Sequence, residues 1–248
     1  MASSEARQEK GRVSELEADS AAPAGMDRSA ETRLRLLEAA GPIFAERGLE
    51  GVTVREICGR AGVNIAAIHY HFGDKGRLYI AAVKYARERR AERYPFPNWG
   101  EDVSPEVRLR GFIETIVRRM LEPDVPWQTR LLMREVLRPT DACRALVEDY
   151  FRPDFESLVS IIEDLMPDGT TARCCRQTAL SVLGQCLLYR IAGDIVRQLV
   201  SDAEYRRGYE IESLADHIWR FSLAACRGWE EVEREAQRIR KEWESQQA

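Results

Sequence analysis

No run in this chain approaches the roughly 18 consecutive apolar residues that a membrane span requires. Residues 1–27 hold no apolar core of the kind a secretory leader needs. They are rich in Ala, Ser, Glu and Gly, and a disordered extension is predicted there. The expected location is the cytoplasm, with no membrane partner. Enzyme motifs are missing as well: there is no Gly-rich phosphate loop, nucleophile elbow or His-Glu-x-x-His. The Glu-x-x-His pattern of di-iron bundles is also absent. Cys58, Cys143, Cys174, Cys175, Cys186 and Cys226 form no CxxC pair, and no cysteine–histidine spacing suits zinc. All six fall in helical patterns and read as buried, reduced thiols. For adjacent Cys174 and Cys175 a redox or soft-metal role stays open. No enzyme, cofactor or metal is expected. Beyond residue 100 there are no alternating β-branched runs and no hairpin dipeptides, so strands are not expected either.

What is present is an ordinary globular composition, 44% hydrophobic and 31% charged over 248 residues, enough for one large or two modest domains. The net charge of −4 hides a segregation. Residues 28–94 hold 13 Lys+Arg and 8 Asp+Glu, residues 1–27 hold 3 and 6, and residues 95–248 hold 21 and 27. A basic segment joined to an acidic body is an electrostatic footprint for nucleic acid at one end only.

That basic segment contains the most informative stretch, 53–75. Thr53 with Glu56 three residues on is a capping box, followed by Val54, Ile57 and Cys58 on one helical face. Gly62 in Ala61-Gly62-Val63 breaks the helix. Asn64 caps a second helix, predicted from Ile65 to about Tyr70. Two short helices around a glycine turn form a helix-turn-helix, whose second helix enters the DNA major groove. An earlier helix, 30–47, carries the stripe Leu37, Ala40 and Phe44, with a bend expected at Pro42. A fourth helix, 75–93, turns Leu78, Val83 and Ala86 inward, and Lys84, Arg87, Arg89 and Arg90 are predicted to form a basic outer face.

Residues 95–100 read as the loop between two domains. Helices are then predicted over 105–121, 127–137, 141–165 (kinked at Pro153), 171–200 and 209–228. The fifth carries Leu109, Phe112, Ile113, Ile116 and Met120 on its apolar face. The eighth is apolar nearly all round, so burial on several faces is expected, with Gly184 and Gly193 permitting close approach. In the charged tail, 229–248, Trp229, Val232, Ala236, Ile239 and Trp243 form a stripe. A helix docking on its own body or on a partner subunit is predicted there; a frayed helix is the alternative.

The 53–75 stretch also resembles the TetR family of bacterial transcriptional regulators. The likeness rests on Gly51 to Ile57, Ala61-Gly62-Val63, Tyr70-His71-Phe72 and Lys75, with Leu36 to Ala40, Phe44 and Glu46-Arg47-Gly48 before them. His69 departs from the pattern. The C-terminal half is similar to a CerR-like branch of that family, through Arg130 to Glu135, Pro139-Thr140, Arg152-Pro153, Gly184 to Arg190, His217-Ile218 and Phe221-Ser222-Leu223. The fold class expected is all-α: a three-helix DNA-binding domain with its linking helix over 28–94, and a larger ligand-sensing and dimerisation domain over 95–228. The resemblance implies a homodimer through the eighth and ninth predicted helices, whose apolar periodicity allows it: Leu180, Leu183, Leu187, Ile191, Ile211, Leu214, Ile218 and Phe221. It also implies a cavity for an unknown small-molecule effector within helices five to eight. Candidate lining residues are Trp127, Met133, Phe155, Gln185 and Tyr189, with Arg130, Glu135 and Arg190 as polar anchors; for each, a place in the core or a structural ion pair is the alternative.

The expected partner is a pseudo-palindromic double-stranded operator, bound by a repressor and released by the effector. Thr53 and Asn64 suit phosphate contacts as helix caps. Tyr70 and Lys75 match family positions that touch phosphate. Ile65, Ala66, Ala67 and His69 lead the recognition helix; its two alanines allow a deep seat against thymine methyls. His69 reads as a base-edge or phosphate contact, or as a partly buried surface residue. Arg55 and Lys84 add phosphate screening. Ile68 and Phe72 belong to the core. The alternative reading is a helical adaptor that binds proteins and no DNA.

Overall fold

The computed structural model describes residues 24–100, 102–122 and 126–247. Those residues are mostly helical, without strands. In chain order the helices are α1 (Ala24–Arg47), α2 (Val54–Ala61), α3 (Ala66–Phe72), α4 (Lys75–Arg93), α5 (Pro105–Leu121), α6 (Pro126–Leu137) and α7 (Asp141–Leu146). A π-helical turn, Val147–Phe151, leads into α8 (Arg152–Glu163). Next come α9 (Ala172–Ile191), α10 (Gly193–Leu199), α11 (Asp202–Gly208), α12 (Ile211–Arg227) and α13 (Trp229–Gln247).

Several bounds differ from expectation for local reasons. α1 starts at Ala24, so the last four residues of the expected disordered extension are helical; the rest of it lies outside the described residues, as do residues 123–125 between the fifth and sixth predicted helices. The single helix expected over 141–165 is interrupted. Pro153 has no N–H to give, and just before it the Arg152 N–H reaches back five residues to the Val147 carbonyl, which widens the helix into the π-turn. The helix expected over 171–200 breaks at Ala192, and α10 leaves α9 at 80°. α11, in the stretch between the eighth and ninth predicted helices, is not legible from apolar spacing. No single described helix is long and apolar enough to cross a membrane.

Two cores organise the chain. The first gathers Leu36, Leu37, Ala40, Ile43 and Phe44 of α1, Ile57 of α2, Ile68 of α3 and Leu78, Tyr79 and Val83 of α4. It is completed by Leu131 and Leu132 of α6 and Leu146 of α7. α2 and α3 are too short to close a core with α1 alone, and the C-terminal half supplies its lid. α1 and α6 meet at Gly41, where an added β-carbon would stand 2.2 Å from the Trp127 ring. The second core joins α5, α8, α9 and α12 through residues such as Phe112, Ile113, Leu158, Ile162, Val182 and Ile218. The 95–100 loop covers it, with Phe96 stacked on Phe112 at 4.7 Å.

Candidate nucleic-acid interface and effector cavity

The reading unit is built by its caps. Thr53 Oγ1 accepts from the Glu56 N–H at 3.2 Å. The reciprocal half of the capping box is absent, because the Glu56 carboxylate pairs with Arg47 instead. Gly62 sits at φ 65°, in the left-handed region that ends α2. Arg35 of α1 donates to the carbonyls of Ala61 and Gly62 at 2.7 and 3.1 Å, pinning the turn. Sequence reasoning missed this clamp. Asn64 Oδ1 accepts from Ala66 N–H at 3.0 Å, from one position ahead of the Ile65 N-cap of α3, which begins one residue later and ends two later than predicted.

α3 holds Ile68 and Phe72 in the core and turns the opposite face outward. Thr53, Arg55, Asn64, Ile65, Ala66, His69 and Tyr70 are all exposed and Ala67 is half-buried. Tyr70 is 80% exposed; its ring meets His71 edge-on at 4.8 Å between centroids and is otherwise turned to water. His69 Nδ1 lies 2.8 Å from the Gly73 carbonyl. A carbonyl only accepts, so Nδ1 carries the proton, and in the neutral ring Nε2 is then the acceptor. His69 is therefore first a lock on the end of the recognition helix. Lys75 is also committed: its ammonium donates to the Val52 carbonyl at 3.1 Å, tying α4 to the entry of α2.

The basic outer face expected on α4 is not formed. Arg87 and Arg90 are 7% and 2% exposed, and Lys84 pairs with Asp149 at 2.5 Å. Both arginines lie on the stripe Tyr79, Ala82, Val83, Ala86, Arg87, Arg90, and that spacing was the available signal. They face a cavity of about 350 Å³ between α4, α5, α6, α8 and α9 and the π-turn. Its walls are apolar: Phe112, Ile116, Met120, Leu132, Met133 and Phe155 among others. Its polar end holds Arg87, Arg90, Arg119 and a single carboxylate between them, Asp154. Asp154 Oδ2 accepts from Arg87 at 2.5 Å and from Arg119 at 3.4 Å, and Arg119 Nε donates to the Tyr94 carbonyl. Arg90 donates through Nη1 to Thr129, and its buried Nη2 has no partner. Burial, with Arg119, Arg190 and Arg87 nearby, pulls Arg90 down to about 10. Burial and the neighbouring Arg87 bring Arg119 down to about 10, against the pull of Asp154.

Of the predicted lining residues, Met133 and Phe155 line this cavity. Trp127 instead stacks near Tyr85, 6.3 Å between centroids, in the α1–α6 contact. Arg130 is exposed beside Glu46. Glu135 is buried but spent on Tyr79 and Thr140. Gln185 turns toward its own helix at Ser181, Tyr189 packs on Tyr209, and Arg190 is exposed. Polarity at helical spacing did not separate these structural pairs from the arginines that face the cavity.

The predicted subunit-contact residues also divide. Leu180, Ile191 and Phe221 are more than half exposed, and Leu183, Leu187 and Ile211 are partly exposed. Leu214 and Ile218 are not available to a partner, because both are consumed by the second core. α9 is thus not buried all round: Leu180, Leu188 and Ile191 leave a bare stripe, and an added β-carbon at Gly184 within it meets nothing. In α13 only Trp229 packs on the body, while Val232, Ile239 and Trp243 are exposed, so the tail does not dock on its own chain. Cys58, Cys175, Cys186 and Cys226 are buried, Cys143 and Cys174 partly so, and all six are free thiols. No metal-holding cluster occurs among the described residues.

Comparison with known proteins agrees with this arrangement. The family model for "Bacterial regulatory proteins, tetR family" matches residues 36–82. That for "HTH-type transcriptional dual regulator CecR, C-terminal domain" matches residues 105–226, so the branch expected under the name CerR is that of CecR. The chain is 27% identical over 186 residues to the transcriptional dual regulator CecR of Shigella flexneri, across 70% of this chain and 82% of that one. It is 41% identical over 122 residues to the transcriptional repressor AcnR of Corynebacterium glutamicum, covering 48% of this chain and 57% of the relative, little more than half its length. In fold it is similar to a TetR-like regulator from Rhodococcus sp. RHA1, with a TM-score of 0.57 at 17% identity, over 78% of this chain and 94% of that one. With its N-terminal and C-terminal parts both matched, the chain belongs to the TetR family of bacterial transcriptional regulators and carries a C-terminal domain of the CecR type.

Proposed function

We propose that this DNA-binding regulator acts as a homodimeric repressor, gripping a pseudo-palindromic operator with two α3 helices and releasing it when a small molecule fills the arginine-capped cavity. One observation carries the reading: α4 belongs to both sites. Its N-terminal half, Leu78, Tyr79 and Val83, is core to the reading unit, and its C-terminal half, Arg87 and Arg90, walls the cavity. A ligand that prefers one setting of α4 shifts the spacing of two linked heads, which is the differential affinity that release requires.

On this reading Tyr70, Thr53, Asn64 and Arg55 contact phosphate, while Ile65, Ala66, Ala67 and the Nε2 of His69 meet base edges. Lys75 contributes by holding the cap of α2 in place as well as by its charge. Residues 28–94 form the reading head with its linking helix, 95–228 the sensor, and 229–248 a tail. The dimer forms across the bare face of α9 and Phe221 of α12, and the stripe on α13 adds a second apolar edge. Half-sites then lie about 34–36 Å apart, or at multiples of that spacing.

Selection of bound fragments from random DNA, with native mass measurement of the free protein, tests this. Inverted half-sites and a dimer at micromolar concentration are expected. A stable monomer, or no enriched sequence, overturns the reading in favour of a protein-binding adaptor.

A further inference from the structure

The polar end of the cavity is over-supplied with positive charge. Arg87 and Arg119 share the one carboxylate there, Asp154, and Arg90 lines the same end without a carboxylate pair; the fourth lining arginine, Arg152, pairs with Glu148 at 3.1 Å and is exposed. Arg190 adds further positive potential from outside the lining. Arg90 is the critical member. It is 2% exposed, its Nη1 is used by Thr129, and its Nη2 has no acceptor. A buried cation with a missing acceptor is costly to the fold by itself and becomes favourable when an anion completes it. The rest of the cavity offers almost only hydrocarbon and aromatic edges.

We propose that the effector is an amphiphilic monoanion, a carboxylic acid whose carboxylate sits on Arg90 and Arg119 and whose apolar body lies against Phe112, Ile116, Met133 and Phe155. This deepens the effector reading above and rests on it. Size narrows the class. At roughly 30 Å³ per water-sized unit, a cavity near 350 Å³ takes on the order of ten heavy atoms, the size of a medium-chain fatty acid or a small aromatic acid. A neutral alcohol of the same length fills the apolar walls and leaves Nη2 unpaired. An amine meets like charge. A polyanion finds two spare positive charges but no polar surface for its remaining oxygens.

The test is calorimetric titration of the full chain with octanoate, octan-1-ol, octylamine and octyl phosphate, followed by straight-chain acids of six to twelve carbons and phenylalkanoates. An acid is expected to bind at least tenfold tighter than its matched alcohol, with no heat from the amine. Arg90→Met keeps the side-chain volume and removes the charge. It is expected to lose at least tenfold in acid affinity while keeping alcohol affinity. Leu183→Trp fills the cavity from its half-buried wall, leaves the arginines in place and is expected to abolish both; thermal melting of each variant confirms folding. The proposal is overturned if acid and alcohol bind alike, if Arg90→Met leaves acid binding unchanged, if octyl phosphate outbinds octanoate, or if no acid in the panel binds. Operator release is read separately by fluorescence anisotropy. Arg90-dependent acid binding without release sinks the effector role and leaves the acid site standing; release by a compound indifferent to Arg90 does the reverse.

Discussion

The hydroxyl of Tyr79 donates to the carboxylate of Glu135 at 2.5 Å in the buried seam where α4 crosses α6. The other oxygen of Glu135 accepts from the Thr140 N–H and hydroxyl at 3.1 and 2.9 Å, so a single carboxylate ties α4 to the turn before α7. Tyr79→Phe leaves one oxygen of a 1% exposed carboxylate without its donor. A loss of about 1–3 kcal/mol is expected in urea unfolding. Burial, and then the bond to Glu135, push the Tyr79 phenol up from its usual value. A raised folded-state value gives stability that is complete below about pH 10, where the unfolded phenol titrates, and is lost as pH rises beyond it. The stability gap between wild type and Tyr79→Phe is therefore expected to narrow above that pH. A constant gap would show that the folded-state phenol titrates where the unfolded one does.

Gly41 lies inside α1, where alanine ordinarily gains up to about 1 kcal/mol in helix propensity. Here an added β-carbon falls 2.2 to 2.8 Å from three carbons of the Trp127 ring. Gly41→Ala is expected to destabilise by about 1–3 kcal/mol, and Trp127→Leu in the same chain to recover part of it. Urea unfolding of the two single variants and the double variant measures the coupling. Strict additivity would mean that α1 and α6 do not meet there.

His69 does not need to touch DNA to matter. Its bond to the Gly73 carbonyl closes the end of α3, at a glycine with φ 84°. His69→Ala is expected to lower stability by about 0.5–1.5 kcal/mol. In operator titrations it should weaken all sequences alike if His69 only locks the helix, and alter preference at one base pair if Nε2 reads an edge. Tyr70→Ala with Arg55→Ala removes two exposed groups without touching a cap or the core. A loss of roughly tenfold or more in operator affinity, about 1.4 kcal/mol per tenfold, is expected with the melting temperature unchanged. Lys75 is a poor choice for that test, since its bond to Val52 makes its loss a folding defect.

The parts legible in the sequence are those set by neighbours a few residues apart. Thr53, Gly62 and Asn64 fix two helices and their turn through bonds spanning two to five residues, and each was readable. Arg87 and Arg90 were not, because a charge run on a helix is normally a solvated face. Only Asp154 of α8, which takes up Arg87, and Thr129 of α6, which takes up one nitrogen of Arg90, both far along the chain, make an interior position tolerable for them. Leu214 and Ile218 failed for a related reason. Apolar spacing marks which face of α12 is covered, but not whether the cover is α5 or a second subunit. Glu135 read as a polar anchor because its donors, Tyr79 and Thr140, come from two other elements.

Gly184 gives the sharpest test of the subunit contact. It sits between Leu180 and Leu188 on the bare stripe of α9, and a β-carbon there meets nothing within its own chain. Any side chain placed at this position is therefore neutral to the isolated subunit, or slightly favourable, since a helical glycine costs about 1 kcal/mol. If the stripe faces a partner, Gly184→Arg buries an unpaired charge in that contact and should dissociate it. Sedimentation of the variant is expected to show a monomer with undiminished helicity. Operator affinity should fall further than for any single α3 substitution, because one reading head spans only a few base pairs. A Gly184→Arg protein that remains dimeric would place the subunit contact on another surface, with the exposed α13 stripe of Val232, Ile239 and Trp243 the next face to test.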